Sequence, residues 1–128
     1  METWADILPF VPPELEPWLP AVAWSDEKLD ALGLPVVEIA IAELAWMLDL
    51  PCWQGDSLFE VRPLDVVDGP QLERTNAADL SQPLYVTPRN GRLVVLDGLH
   101  RLLKAARARQ ETISVRVVPA DALDQLAA

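Results

Sequence analysis

Five consecutive residues, Asp97-Gly98-Leu99-His100-Arg101, gather a carboxylate, an imidazole and a guanidinium around a glycine. They follow the apolar run Leu93-Val94-Val95-Leu96 and open a stretch, Leu99 to Arg109, whose spacing predicts a helix. A glycine between strand and helix admits a ligand close to the backbone, and the first-turn N–H groups of the helix have no intrahelical acceptors. Such N–H groups and the helix dipole together favour an anion, to which His100 and Arg101 add charge-assisted donors. Asp97, just before the glycine, could hold Mg²⁺, orient a hydroxyl group or cap the helix. Basic side chains in a first turn oppose the dipole, a local conflict that hints at function, with an ordinary solvated helix face as the plain alternative.

The elements that must position these residues follow from the pattern around them. Leu84-Tyr85-Val86-Thr87 and Leu93 to Leu96 are predicted strands around Asn90-Gly91, a pair that tolerates the positive φ angles of a hairpin turn. On the helix, Leu99, Leu102, Leu103 and Ala106 share one face, and His100, Arg101, Lys104 and Arg107 share the opposite one. Ile113, Val115 and Val117 alternate with Thr112, Ser114 and Arg116, giving a last strand with one buried side. These strands are expected in one mixed sheet, with a crossover helix joining a parallel pair. Upstream, Val36 to Ile41 reads as a strand, Ala42 to Leu50 as a helix, residues 51–56 as a loop, Leu58 to Val61 as an extended piece and Gln71 to Leu80 as a short polar helix.

Residues 1–35 differ in character. Pro9, Pro12, Pro13, Pro17 and Pro20 with Trp4, Trp18 and Trp24 interleaved exclude a long regular helix and predict an irregular arm pinned by its tryptophans. Ser25-Asp26-Glu27-Lys28 reads as the N-cap of a short helix ending near Gly33. The expected organisation is therefore this arm over residues 1–35 and one α+β domain over residues 36–128.

The 128 residues are 51% hydrophobic, which excludes intrinsic disorder, and no apolar run is long enough to span a membrane. The acidic start, Met1 to Asp6, lacks the basic and apolar regions of a signal peptide, so a cytoplasmic location is expected. One cysteine, Cys52, and one histidine exclude an intramolecular disulfide and a Cys/His zinc site. The net charge of −10 is unevenly spread: residues 89–118 hold seven bases against two acids (+5), and the rest holds three against eighteen (−15). This asymmetry points to a local anion site on an acidic molecule and argues against sequence-specific DNA binding.

The run from Pro83 to Val86, the segment from Gly91 to Ala105 centred on D-G-x-H-R, and the strand from Ile113 to Val118 resemble the ParB/sulfiredoxin superfamily. The resemblance implies an α+β fold, with a small mixed sheet and packed helices, and a nucleotide phosphate site at the start of the helix. Carried over by position, it gives Gly98, Leu99, His100, Arg101 and Lys104 as cofactor-binding residues and Asp97 as the signature acid, with Asp97 also the metal position. An upstream acid is often needed in the kinase-like members, and Glu60 and Glu73 are candidates for it. The implied ligands are ATP, ADP or CTP with Mg²⁺.

Departures from the family narrow the activity. Sulfiredoxins place a reactive cysteine immediately before the motif histidine, where this chain has Leu99, so sulfinic acid reduction is not expected. Partitioning proteins follow this domain with a helix-turn-helix module, and only ten residues follow Val118. Two classes of function remain. One is a nucleotide-dependent phosphotransferase resembling free serine kinases, acting on a small-molecule acceptor. The other is a non-catalytic module that senses a nucleotide or another anion and docks a protein partner or a second copy.

Overall fold

The computed structural model describes residues 4–7, 14, 17, 19–20, 24–54 and 59–126. Among these residues six short strands and five α-helices occur in the order α1 (Trp4–Ile7), α2 (Asp26–Ala31), β1 (Val37–Ala40), β2 (Trp53–Gln54), β3 (Phe59–Val61), α3 (Gly69–Ala77), β4 (Leu84–Arg89), β5 (Arg92–Asp97), α4 (Leu99–Arg107), β6 (Thr112–Val117) and α5 (Ala120–Leu126). The main sheet has the order β1-β6-β4-β5 and is mixed: β4 runs parallel to β6, and the other pairs are antiparallel. β2 and β3 form a separate two-stranded ribbon. The fold class is α+β, and among the described residues no helix is long and apolar enough to cross a membrane.

β4 is the spine of this arrangement. Leu84, Tyr85, Val86 and Thr87 are all buried, because a central strand covered on both faces shows no solvent side. Alternation sends Leu84 and Val86 to one face and Tyr85 and Thr87 to the other. β4 and β5 are joined at Asn90 (φ 50°) and Gly91 (φ 80°), and the positive φ angles that a two-residue hairpin requires fall on the two residues best able to adopt them. The outer edge of β5 is closed by tryptophans: Trp4 Nε1 donates to the Val95 carbonyl at 2.7 Å and Trp46 Nε1 to the Leu93 carbonyl at 3.1 Å. Indoles thus occupy carbonyls that an open edge would offer to another strand.

α4 buries Leu102, Leu103 and Ala105 completely, and Leu99 and Ala106 pack half-buried beside them. The expected apolar face is present, with its centre shifted towards Ala105. Ser25 caps α2 by accepting from the Lys28 N–H at 3.2 Å, and Trp4 and Trp24 are core residues, as pinning tryptophans should be. Trp18 and residues 55–58, part of the expected loop and extended piece, lie outside the described residues.

Several segments differ from the reading of the sequence: Trp4–Ile7 forms one helical turn within the expected irregular arm, and Trp53–Gln54, expected in a loop, forms β2 against β3. Residues 42–50 form no α-helix; Ile41–Glu43 and Ala45–Asp49 are 3₁₀ turns, held by Leu44 N–H to Ile41 O at 2.9 Å and Met47 N–H to Leu44 O at 3.0 Å. Ile41, Leu44 and Met47 are buried at a spacing of three, the repeat of a 3₁₀-helix, and Pro51 disfavours helical geometry at Leu50. A further difference is α5, which the sequence reading left unassigned and which buries Leu123 and Leu126.

Gly98 links β5 to α4 at φ 116°, and a Cβ there would stand 2.7 Å from Leu84 Cγ. Gly98→Ala is therefore expected to lose about 1–3 kcal/mol of stability from the backbone alone, with the contact adding to it. Urea denaturation checks this, and a loss below about 0.5 kcal/mol, the range of a neutral surface change, would contradict the geometry.

Candidate functional site

Asp97 owes its position to a slip in the β-ladder. Val86 pairs with Val95, so a regular ladder would set Tyr85 opposite Leu96; instead Tyr85 pairs with Asp97, leaving Leu96 as an extra residue. A bulge of this kind turns the following side chain to the other face of the sheet. On the far side of β4, Tyr85 pairs with Arg116 of β6. Arg116, Tyr85 and Asp97 consequently form one row across three strands, and all three line the same cleft of about 420 Å³.

The cleft is completed by Asp26 and Asp30 on α2, by Gln82 and Pro83 before β4, and by Arg101 in the first turn of α4. Tyr85 donates its hydroxyl to Asp30 Oδ1 at 2.5 Å, which ties α2 to the sheet. Burial, then that hydrogen bond, pushes the Tyr85 hydroxyl up to about 12, so it stays a donor at physiological pH. Arg101 Nη1 donates to the Pro83 carbonyl at 3.2 Å and Arg116 Nη1 to the Leu34 carbonyl. These single bonds aim each guanidinium and leave its other N–H groups without an acceptor among the described residues.

Asp97 itself accepts no hydrogen bond from a described side chain and closes no ion pair with Arg101. Burial lifts its carboxyl above the usual aspartate range, the Arg101 charge opposes this, and Asp26 and Asp30 add to the rise. Nor does Asp97 cap the helix: the N-cap residue is Gly98 in a left-handed conformation. The N–H groups of Leu99, His100 and Arg101 have no acceptor among the described residues; the first helical bond is Leu102 N–H to Gly98 O at 2.9 Å.

The other sequence-derived residues lie elsewhere. His100 stacks on Trp53, with ring centroids 4.8 Å apart at 17°, and its Nε2 lies 2.6 Å from Gln71 Oε1. Burial, together with the charges of Arg74 and Arg101, holds its imidazole below the usual histidine range, so the ring is neutral near pH 7. Lys104 Nζ donates to the Asn76 and Ala78 carbonyls at 2.9 and 2.8 Å, satisfying the C-terminal end of α3. Glu73 is exposed on α3, and Glu60 lies in β3. The cleft thus unites Asp97 and Arg101 at the Gly98 junction, while His100 and Lys104 hold α4 to its neighbours. Cys52 is in the core, and burial pushes its thiol up to about 12, which keeps it protonated.

Tyr85, Arg116, Asp26 and Asp30 were not singled out from the sequence. Asp26 and Asp30 stand at i and i+4 on α2, which places them on one helix face, and Arg116 occupies the polar alternation of β6. Those spacings were legible; the strand register that joins them was not. Among the described residues no group of three or more carboxylate, imidazole or thiol side chains gathers to hold a metal ion. Comparisons with protein-family models, with curated proteins and with solved structures return no match to this chain.

The environment of Asp97 fixes the sign of a stability effect. Its carboxyl titrates higher in the folded chain than in the unfolded one, so its ionisation opposes folding, and stability is lost as pH rises through this range. Asp97→Asn removes that penalty. The variant should melt above wild type at about pH 7, with the gap closing near pH 3, where the carboxyl is largely protonated in both states. Thermal denaturation at the two pH values decides, and a variant melting below wild type at neutral pH would show that Asp97 serves the fold.

Proposed function

We propose that the chain is a ParB/sulfiredoxin-like nucleotide-binding protein that holds a phosphate group at the Gly98 junction and transfers it to a small-molecule acceptor. The observation that carries this reading is the Asp97 carboxylate, turned by the bulge into a polar cleft beside Arg101 and the first-turn N–H groups of α4, with no hydrogen-bond partner for it or for them among the described residues. A carboxylate kept in that setting opposes stability and so calls for a reason in function. The cleft volume of about 420 Å³ lies within the range of small-ligand sites.

Each residue then has a task. Arg101 and the N–H groups of Leu99 and His100 neutralise the phosphate oxygens, with charge-assisted hydrogen bonds from the guanidinium. Asp97 accepts the proton of the acceptor hydroxyl as that oxygen bonds to phosphorus, and the bond from phosphorus to the bridging oxygen of the nucleotide breaks, its electron pair leaving with the nucleotide. The raised affinity of Asp97 for a proton suits this role. Mg²⁺, if bound, would be held by Asp97 together with phosphate oxygens and would supply further charge neutralisation. His100 and Lys104 act as positioning residues that fix the first turns of α4.

Calorimetric titration with ATP, ADP and CTP, with and without Mg²⁺, tests the reading. Wild type should bind one of them, and Arg101→Ala should weaken it by about 1.5–3 kcal/mol, the value of a hydrogen bond to a charged group. Asp97→Asn should retain binding and lose phosphoryl transfer; retained binding with no turnover in the wild type would instead favour an anion-sensing module. No binding by wild type at millimolar nucleotide refutes the phosphate site.

A further inference from the structure

The two edges of the main sheet are finished differently. At β5, indoles take the Leu93 and Val95 carbonyls. β1 is the other edge; among the described residues no backbone hydrogen bond reaches its outer side, and its register against β6 runs without a bulge. The Ile41 N–H donates to the Glu111 carbonyl at 2.9 Å, which fixes the phase of the strand. Ile41, Ile39 and Val37 present their backbone groups to β6, and Glu38 and Ala40 present theirs outward. Continued one residue upstream, the same alternation turns Val36 outward. No lysine, proline or bulge, the devices that blunt an edge, occurs within Val37–Ala40.

A row of the core also runs out at this edge. Leu84 pairs with Val115, and Val115 pairs with Val37. Leu84 and Val115 are fully buried, whereas Val37 is 41% exposed and Val36 beside it 49%. The only charge on β1, Glu38, accepts a hydrogen bond from Ser114 Oγ of its own sheet. An edge of this kind, β-branched and with its outward donors and acceptors unpaired, is a template for another strand. The covering strand must bring an apolar side chain to Val37 and keep an acid away from Glu38, and β1 itself meets both conditions.

We propose that β1 is the seam of a homodimer, in which two copies pair their β1 strands antiparallel about a two-fold axis at Val37 and join their four-stranded sheets edge to edge. Val37 then meets the partner's Val37 in a non-hydrogen-bonded pair, where side chains approach most closely, and the row from Leu84 through Val115 continues by symmetry into the second core. Val36 and Glu38 exchange backbone hydrogen bonds with the partner's Glu38 and Val36, so each acid lies opposite a valine. An axis at Glu38 would set two carboxylates directly opposite, which is destabilising. An axis at Ile39 would carry Val36 past the partner's strand to the turn that begins at Ile41. A seam this short makes a weak dimer, opposed by the charge of −10 on each chain. The inference does not depend on the phosphate reading.

Sedimentation of the full chain from about 10 μM to about 1 mM, the range in which a weak association appears, tests it. The mean mass should rise towards that of a dimer, and more steeply at high salt than at low, because screening relieves the repulsion between acidic copies. Val37→Lys sets like charges on the axis and should raise the dissociation constant at least about tenfold, with the far-ultraviolet circular dichroism unchanged. Val37→Cys reads the register: residues directly opposite lie within reach of a disulfide, so mild oxidation should link two copies. It should do so faster than in Val67→Cys, which is 79% exposed but outside the sheet, and the buried Cys52 does not compete. Wild type that stays monomeric at the highest concentration in both salts overturns the dimer. A dimer that Val37→Lys leaves intact, or equal rates of linkage for the two cysteine variants, overturns its assignment to β1.

Discussion

The register of β4 against its two neighbours is the constraint on which the cleft depends. Pairing Tyr85 with Asp97 on one side and Arg116 on the other requires the extra residue at Leu96; in a regular ladder Asp97 would face the opposite side of the sheet. The same strand then anchors α2 through the Tyr85 hydroxyl and Asp30, so one residue of β4 fixes both the floor and a wall. The slip is held from both ends. Upstream, the hairpin at Asn90-Gly91 sets the pairing from Arg89 and Arg92 onward, and downstream Gly98 turns the chain into α4 against Leu84.

The basic face of α4 has two kinds of residue. Lys104 and Arg107 satisfy backbone carbonyls: Lys104 those of Asn76 and Ala78, and Arg107 that of Val66 at 2.5 Å. They replace water at groups that packing would otherwise leave poorly solvated, which explains their presence without any ligand. Arg101 is different, because its one bond among the described residues, to the Pro83 carbonyl, leaves its other donors without an acceptor there while the side chain lines the cleft. His100 stands between these cases, clamped by Trp53 and Gln71 at the helix start. A positive helix face in an acidic protein is thus largely structural, and only its first turn remains open to chemistry.

Much of the C-terminal half was legible in the sequence because its signals are local. Short apolar runs marked β4 and β5, alternation marked β6, the Asn90-Gly91 pair marked the turn, and helical spacing marked α4 with Leu102 and Leu103 inward. The 3₁₀ turns of residues 41–49 were misread as a helix because Ile41, Leu44 and Met47 fit either repeat over so short a span, and packing decided between them. At the site, Asp97, Gly98 and Arg101 stood out as a contiguous motif. Tyr85, Arg116 and the α2 acids did not, since their meeting depends on a bulge and on contacts between residues 31 and 55 positions apart. Such contacts follow from register, which leaves no composition signal.

The central claim is that the junction of β5 and α4 is where a phosphate-bearing ligand sits. Amide chemical-shift mapping of the ¹⁵N-labelled full chain, titrated with ADP in the presence of Mg²⁺, tests it at residue level. The account requires the largest and earliest shifts at Gly98, Leu99, His100 and Arg101, with smaller ones at Tyr85 and Arg116. Shifts confined to the hairpin around Arg89 and Arg92, or scattered over the surface without saturation, would contradict it.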